Sequence, residues 1–160
     1  MSLKEAFTPE EWARVVGAPM LASIAVTAAD PGGLWGAVKE SVAVAGAIGK
    51  AAGGNALVDE IVAAYQTSEG RDLARSALKA EARGKAPAAI VDSAVTELGA
   101  VSALVAAKAP EAASGFKAWL NEIAAKVAEA GSEGGFLGFG GEKVSAAEKA
   151  TLERIATTLA

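Results

Sequence analysis

Acidic side chains beside turns are the first residues whose types and spacing could do chemistry here. Asp30 follows an apolar segment and precedes Glu40, while Glu142 follows a glycine-rich stretch and precedes Glu148. Hard cations such as Ca²⁺ or Mg²⁺ want several oxygens converging from a turn and the helix after it. Each of these pairs offers one carboxylate in a turn and one on the next helix. The spacing is not that of an EF-hand, which needs acidic residues at alternate positions and a Glu at the twelfth. Helix-start electrostatics accounts for Glu148 without a metal.

A second group is basic. Arg71, Arg75, Lys79 and Arg83 recur every fourth residue, which on a helix places them on one ridge, with Lys85 close by. This is the only clustered positive charge in a chain of net charge -4. Glu69, Asp72 and Glu81 partly neutralise it, so a solvated helix face competes with a surface for an acidic protein partner or anionic headgroups.

The third group is apolar. Gly131 to Val144 carries six glycines with Phe136, Leu137 and Phe139 among them. Each glycine costs a helix interior roughly 1 kcal/mol against alanine, so the stretch reads as a long loop with hydrophobic cargo. Those three side chains either fold back to plug the end of the bundle or stay exposed and dock on a partner or a membrane surface. Nucleotide binding fails on spacing. A P-loop needs Lys after its second Gly, but Gly140 is followed by Gly141, and Lys143 stands where the dinucleotide pattern would need its third Gly.

Much enzymology is excluded by absence. The chain has no Cys and no His, which removes thiol nucleophiles, disulfides, and the commonest general base and transition-metal ligand. Ser76 with Lys79 and Ser114 with Lys117 match the Ser-x-x-Lys pattern of acyl-transfer enzymes, but neither companion motif is present. Carboxylate pairs such as Asp59 with Glu60 or Asp92 with Glu97 lack neighbours that would tune them. No catalytic residues are assigned.

The elements that must position these groups are helices. Thr8, Pro9 and Glu11 form a helix start, with Phe7 and Trp12 placed as a hydrophobic staple. That helix is expected to end near Gly17, and Pro19 to restart a second one through Ala29. After the Asp30-Pro31-Gly32-Gly33 turn, a third helix is expected from about Leu34 to Lys50, ended by Gly53-Gly54-Asn55. Leu57, Ile61 and Ala64 give the fourth an apolar face. Thr67 to Gly70 reads as a break, and the fifth helix, Arg71 to Arg83, has few large apolar residues and should lie at the surface. A long helix to about Lys108 carries Ile90, Ala94, Leu98, Val101 and Val105 at helical spacing. Pro110 opens the seventh, with Phe116, Trp119, Leu120, Ile123 and Val127 in a stripe. Ser145 and Glu148 form a capping box before Leu152, Ile155 and Leu159. No segment alternates as a strand does. The expectation is an all-α fold, a compact single domain over 1-160 with about eight helices.

Mean hydropathy is high at +0.31, mostly through alanine, yet no window reaches the ~18 uncharged apolar residues of a spanning helix. Met-Ser-Leu-Lys-Glu-Ala has no signal character, so a cytoplasmic protein is expected, and the acidic balance argues against nucleic acid as a partner.

Ala28-Ala29-Asp30-Pro31-Gly32 followed by Glu40, and Gly141-Glu142-Lys143-Val144-Ser145-Ala-Ala-Glu148 leading into Leu152 and Ile155, resemble the paired turn-and-helix units of the TerB-like family, small all-helical domains associated with tellurite resistance. Pro31, the glycine in place of Asp in the second turn, and the Gly-Phe loop depart from that pattern. The resemblance implies a stress-related, non-enzymatic helical module with a divalent-cation site drawn from Asp30, Glu40, Glu142 and Glu148. The reading reached from sequence is a non-enzymatic α-helical interaction module that acts on itself or on a protein partner. Its alternatives are a binder of an apolar small molecule or lipid, walled by the helices of Ile90 to Val105 and Phe116 to Val127, and a divalent-cation-binding protein.

Overall fold

The computed structural model describes residues 2–29, 48, 54–132 and 144–160. A 3-10 turn, Leu3–Ala6, precedes six α-helices among the described residues: α1 Pro9–Ala29, α2 Ala56–Tyr65, α3 Ser68–Ala82, α4 Pro87–Lys108, α5 Pro110–Ser132 and α6 Ala146–Leu159. No strand occurs among them, so the all-α class holds. Six helices are described against an expectation of about eight, for two reasons. The first two expected helices are one, and the third falls outside the described residues apart from Ile48, which is helical and buried.

Helix starts follow local chemistry. Thr8 N donates to Glu11 Oε2 at 2.7 Å and Glu11 N to Thr8 Oγ1 at 3.2 Å, the reciprocal bonds of a capping box. Phe7 and Trp12 close the staple, their ring centroids 6.3 Å apart. Ser145 and Glu148 repeat the box at α6.

α1 runs straight through Pro19, which corrects the expected break near Gly17. An interior proline costs a helix about 3 kcal/mol and leaves the carbonyl four residues back, here Val15, without its donor. Tertiary burial outweighs that cost. Val15, Val16, Ala18, Leu21, Ala22, Ala25 and Val26 are all buried, and each large buried side chain contributes about 1.5–3 kcal/mol. Beside the proline, the Tyr65 hydroxyl donates to the Val16 carbonyl at 2.7 Å. Burial pushes the Tyr65 phenol up, keeping it a neutral donor.

α1 is the central helix and packs on α4, α3, α5 and α6. It lies antiparallel to α4: Lys108 Nζ reaches Glu11 Oε2 at 2.5 Å and Arg14 Nε reaches Glu97 Oε1 at 2.6 Å. The hydrogen bond from Lys108 holds the Glu11 carboxyl below its ordinary value, helped by the Thr8 amide. α1 and α4 are each long and apolar enough, by length and composition, to cross a membrane. Here both contribute to one core, where they meet the α5 stripe of Phe116, Trp119, Leu120, Ile123 and Val127 and the α6 pair Ile155 and Leu159. Ile90, expected in the α4 stripe, is half-buried, and Val91 and Val95 take the inward positions beside Ala94 and Leu98. Gly131 and Ser132, expected in the glycine loop, are the last residues of α5.

α3 is held close to its neighbours by glycines. A Cβ on Gly17 of α1 would lie 2.5 Å from the Ala77 Cβ of α3, so the two backbones meet at a separation that only small residues permit. Only Gly70 and Ala74 of α3 are buried. Leu73, Ala77 and Leu78 are half-buried beside them, and the opposite face of α3 presents polar side chains.

Candidate functional site

Thr67 starts α3: its Oγ1 accepts from Gly70 N at 3.0 Å and donates to Ala64 O at 2.7 Å. The expected break at Thr67 to Gly70 is thus an N-cap followed by the first helical turn, and the chain changes direction at Gln66 and Thr67. From this corner Arg71, Arg75, Lys79 and Arg83 leave α3 and its C-cap on the exposed side. At 1.5 Å rise per residue the four extend over roughly 18 Å.

The electrostatics of the ridge depend on where nearby carboxylates point. Arg75 Nη1 pairs with Asp72 Oδ1 at 3.3 Å, with both side chains about 70% exposed (69% and 71%), so water screens the pair and it contributes at most about 1 kcal/mol. Arg71 Nη1 donates to the Tyr65 carbonyl at 3.2 Å at the end of α2. Among the described residues Arg71, Lys79 and Arg83 have no ion pair. Glu81 faces away from the ridge. Its carboxylate pairs with Lys85 at 3.2 Å and accepts the Ser93 hydroxyl, while Lys85 Nζ also donates to Ser93 Oγ at 2.9 Å. This three-residue knot ties the end of α3 to α4 and neutralises Glu81 against Lys85 rather than against the ridge.

A cleft of about 310 Å³ opens at the other end of α3, lined by Ser2, Lys4, Trp12, Glu60, Thr67, Glu69 and Leu73 among others. Its best-placed carboxylate is already satisfied. Glu60 accepts from Ser2 Oγ, Leu3 N and Lys4 N, each at 2.8 Å, and so fastens the 3-10 turn to α2. Lys4 Nζ lies 5.8 Å from the Trp12 ring centroid, a cation–π distance. Burial pushes the Glu60 carboxyl up, but the bonds from Lys4 N, Ser2 Oγ and Leu3 N outweigh it, and its pKa lies below the ordinary value. A carboxyl whose folded pKa is depressed contributes stability that is present above its unfolded pKa, about 4.3, and is lost as pH falls through the folded value. Glu60→Gln is therefore expected to lower stability at pH 7 and to flatten the acid limb below about pH 4.5, read by urea unfolding across that range. An unchanged acid limb would contradict this role.

The other candidates separate. Asp30, Glu40 and Glu142, and with them Phe136, Leu137 and Phe139, lie outside the described residues. Glu148 is 4% exposed and its Oε2 accepts the Ser145 amide at 2.8 Å. No group of three or more acidic side chains suited to a metal ion occurs among the described residues. Asp92 and Glu97 point to different helices, Asp92 pairing with Arg154 at 2.9 Å and Glu97 with Arg14. Ser76 and Lys79 are both exposed, with no hydrogen bond between them among the described residues. The Trp119 indole N–H is buried with no partner among the described residues. No family model, curated protein or solved structure matches this chain.

Proposed function

We propose that this protein acts by binding, as a helical docking module that receives an acidic protein partner on the basic ridge of α3. One observation carries the reading. In a chain of net charge -4, four cations at four-residue spacing stand exposed on one helix and its C-cap; of the carboxylates near them, Asp72 pairs with Arg75 alone through a screened contact, and Glu81 is bonded to Lys85 and Ser93 instead. Solvated helix faces usually mix signs, whereas a one-sign row raises the local potential and attracts the opposite charge. The helix is already folded and seated against α1 and α2, so the ordering cost of binding falls on its side chains and not on its backbone.

The test is fluorescence anisotropy with a labelled poly-glutamate peptide at low and physiological ionic strength. Binding is expected to weaken as salt rises, because exposed charges beyond about 8–10 Å are screened. The quadruple variant R71E/R75E/K79E/R83E should lose it while its melting temperature moves little, since exposed substitutions usually stay within about 0.5 kcal/mol. Equal binding by wild type and variant would overturn the proposal.

A further inference from the structure

We infer that the partner segment is itself an α-helix, one that carries carboxylates at four-residue spacing and packs across α3 with the two rows aligned. This rests on the docking reading above and adds the partner's conformation and register. Arg71, Arg75, Lys79 and Arg83 form a single row of the i, i+4 kind. Such a row winds obliquely around its helix, and the i, i+4 ridge of a second helix facing it lines up with it when the two axes cross at about 50°. A second helix with Glu or Asp at every fourth position repeats its charges at about the same 6 Å axial interval. An extended segment is held in most such complexes through its backbone, and α3 offers no sheet edge to hold one.

The surface beside the ridge fits the same occupant. The neighbouring i, i+4 row is Asp72, Ser76 and Ala80, all exposed. Ser76 and Ala80 are short, so beside the long cations there is room for the side-chain row of a second helix to rest. Asp72, at the N-terminal end of that row, is engaged by Arg75. The two cations best placed for a partner are then Lys79 and Arg83, which stand beside Ser76 and Ala80 in sequence and have no ion pair among the described residues. An anionic lipid surface would be read differently, because a flat sheet of headgroups has no preferred register along the helix.

Two synthetic peptides of about twenty residues separate the possibilities, both long enough to be helical in an alanine-rich background. They share one composition. In one the glutamates recur every fourth residue on a single face, and in the other they are dispersed around the helix, with helicity of both checked by circular dichroism. The single-face peptide is expected to bind the full-length protein about tenfold more tightly, a difference near 1.4 kcal/mol, and to lose that advantage against the K79E/R83E protein. Equal affinity of the two peptides, still lost in K79E/R83E, would overturn the helical register and leave the docking surface standing. Affinity that survives in K79E/R83E and in the quadruple charge reversal, or no binding by either peptide, would overturn both. Phosphatidylserine vesicles that bind in a ridge-dependent way, and displace the single-face peptide, would overturn the inference in favour of a membrane.

Discussion

Replacing Gly70 by alanine is expected to destabilise the protein by about 2–4 kcal/mol, a range typical of overpacking a site that cannot relax. Gly70 sits in the first turn of α3, and a Cβ built there would overlap the Ala64 carbonyl oxygen. That oxygen is the hub of the α2–α3 corner. It accepts from Thr67 N at 2.9 Å and from Thr67 Oγ1 at 2.7 Å. Neighbouring backbone cannot swing aside as a flexible side chain could, so relief requires opening the corner and weakening those bonds. In a domain of this size the loss corresponds to a drop in melting temperature of roughly 5–12 °C. Gly54→Ala supplies the comparison, because among the described residues nothing lies within 4 Å of a Cβ there, and it should stay within about 0.5 kcal/mol of wild type. Equal melting temperatures for the two variants would contradict the geometry of the corner. The ridge begins at the next residue, so Gly70→Ala should also weaken peptide binding.

Asn55→Ala is expected to cost about 2–3 kcal/mol, the sum of a helix cap and a hydrogen bond between distant segments. Asn55 Oδ1 accepts from Leu57 N and Val58 N, both at 3.1 Å, which caps α2. Its Nδ2 donates to the Ala112 carbonyl of α5 at 2.9 Å. A Cβ on Gly115 would overlap that same amide group, so α5 is shaped to receive it. Alanine removes both functions and leaves the α2 amides without a side-chain acceptor. Asn55→Ser keeps a capping acceptor and loses the donor without setting a charged oxygen against the Ala112 carbonyl, so about half the loss should return. Chemical denaturation of the three proteins, with unchanged slopes, measures both steps. If Ser is as damaging as Ala, the cap contributes nothing and this account of Asn55 fails.

What the sequence made legible was local. The capping boxes at Thr8 and Glu11 and at Ser145 and Glu148 involve residues three apart, and the stripe from Phe116 to Val127 is a period that one helix imposes on itself. The exposed basic row on α3 follows from the same kind of periodicity. Features set by distant segments were hidden. Pro19 looks like a boundary until the burial of Val15, Val16 and Leu21 around it is seen. Asn55 after two glycines reads as the end of one helix, and only its bonds from Leu57 N and Val58 N show it to be the cap of the next, with the Ala112 carbonyl holding it in place. Gly70 reads as a breaker, whereas its missing side chain makes room for the Ala64 carbonyl. The ridge's electrostatics were hidden in the same way, because the partner that draws Glu81 aside is Ser93, on the next helix. Glu60, adjacent to Asp59, suggested a carboxylate pair, but its donors come from Ser2, Leu3 and Lys4 at the far end of the sequence.

The central claim is that binding takes place on the exposed row of α3, and amide chemical-shift mapping tests it directly. A titration of ¹⁵N-labelled protein with the single-face glutamate peptide is predicted to give saturable shifts concentrated between Arg71 and Lys85, with the amides of Trp12, Glu60 and Phe116 unmoved. Saturable shifts that instead gather around Ser2, Trp12 and Glu60 would place binding in the cleft, and shifts spread evenly over the surface would reduce the ridge to a solvated helix face. Either result would contradict the account.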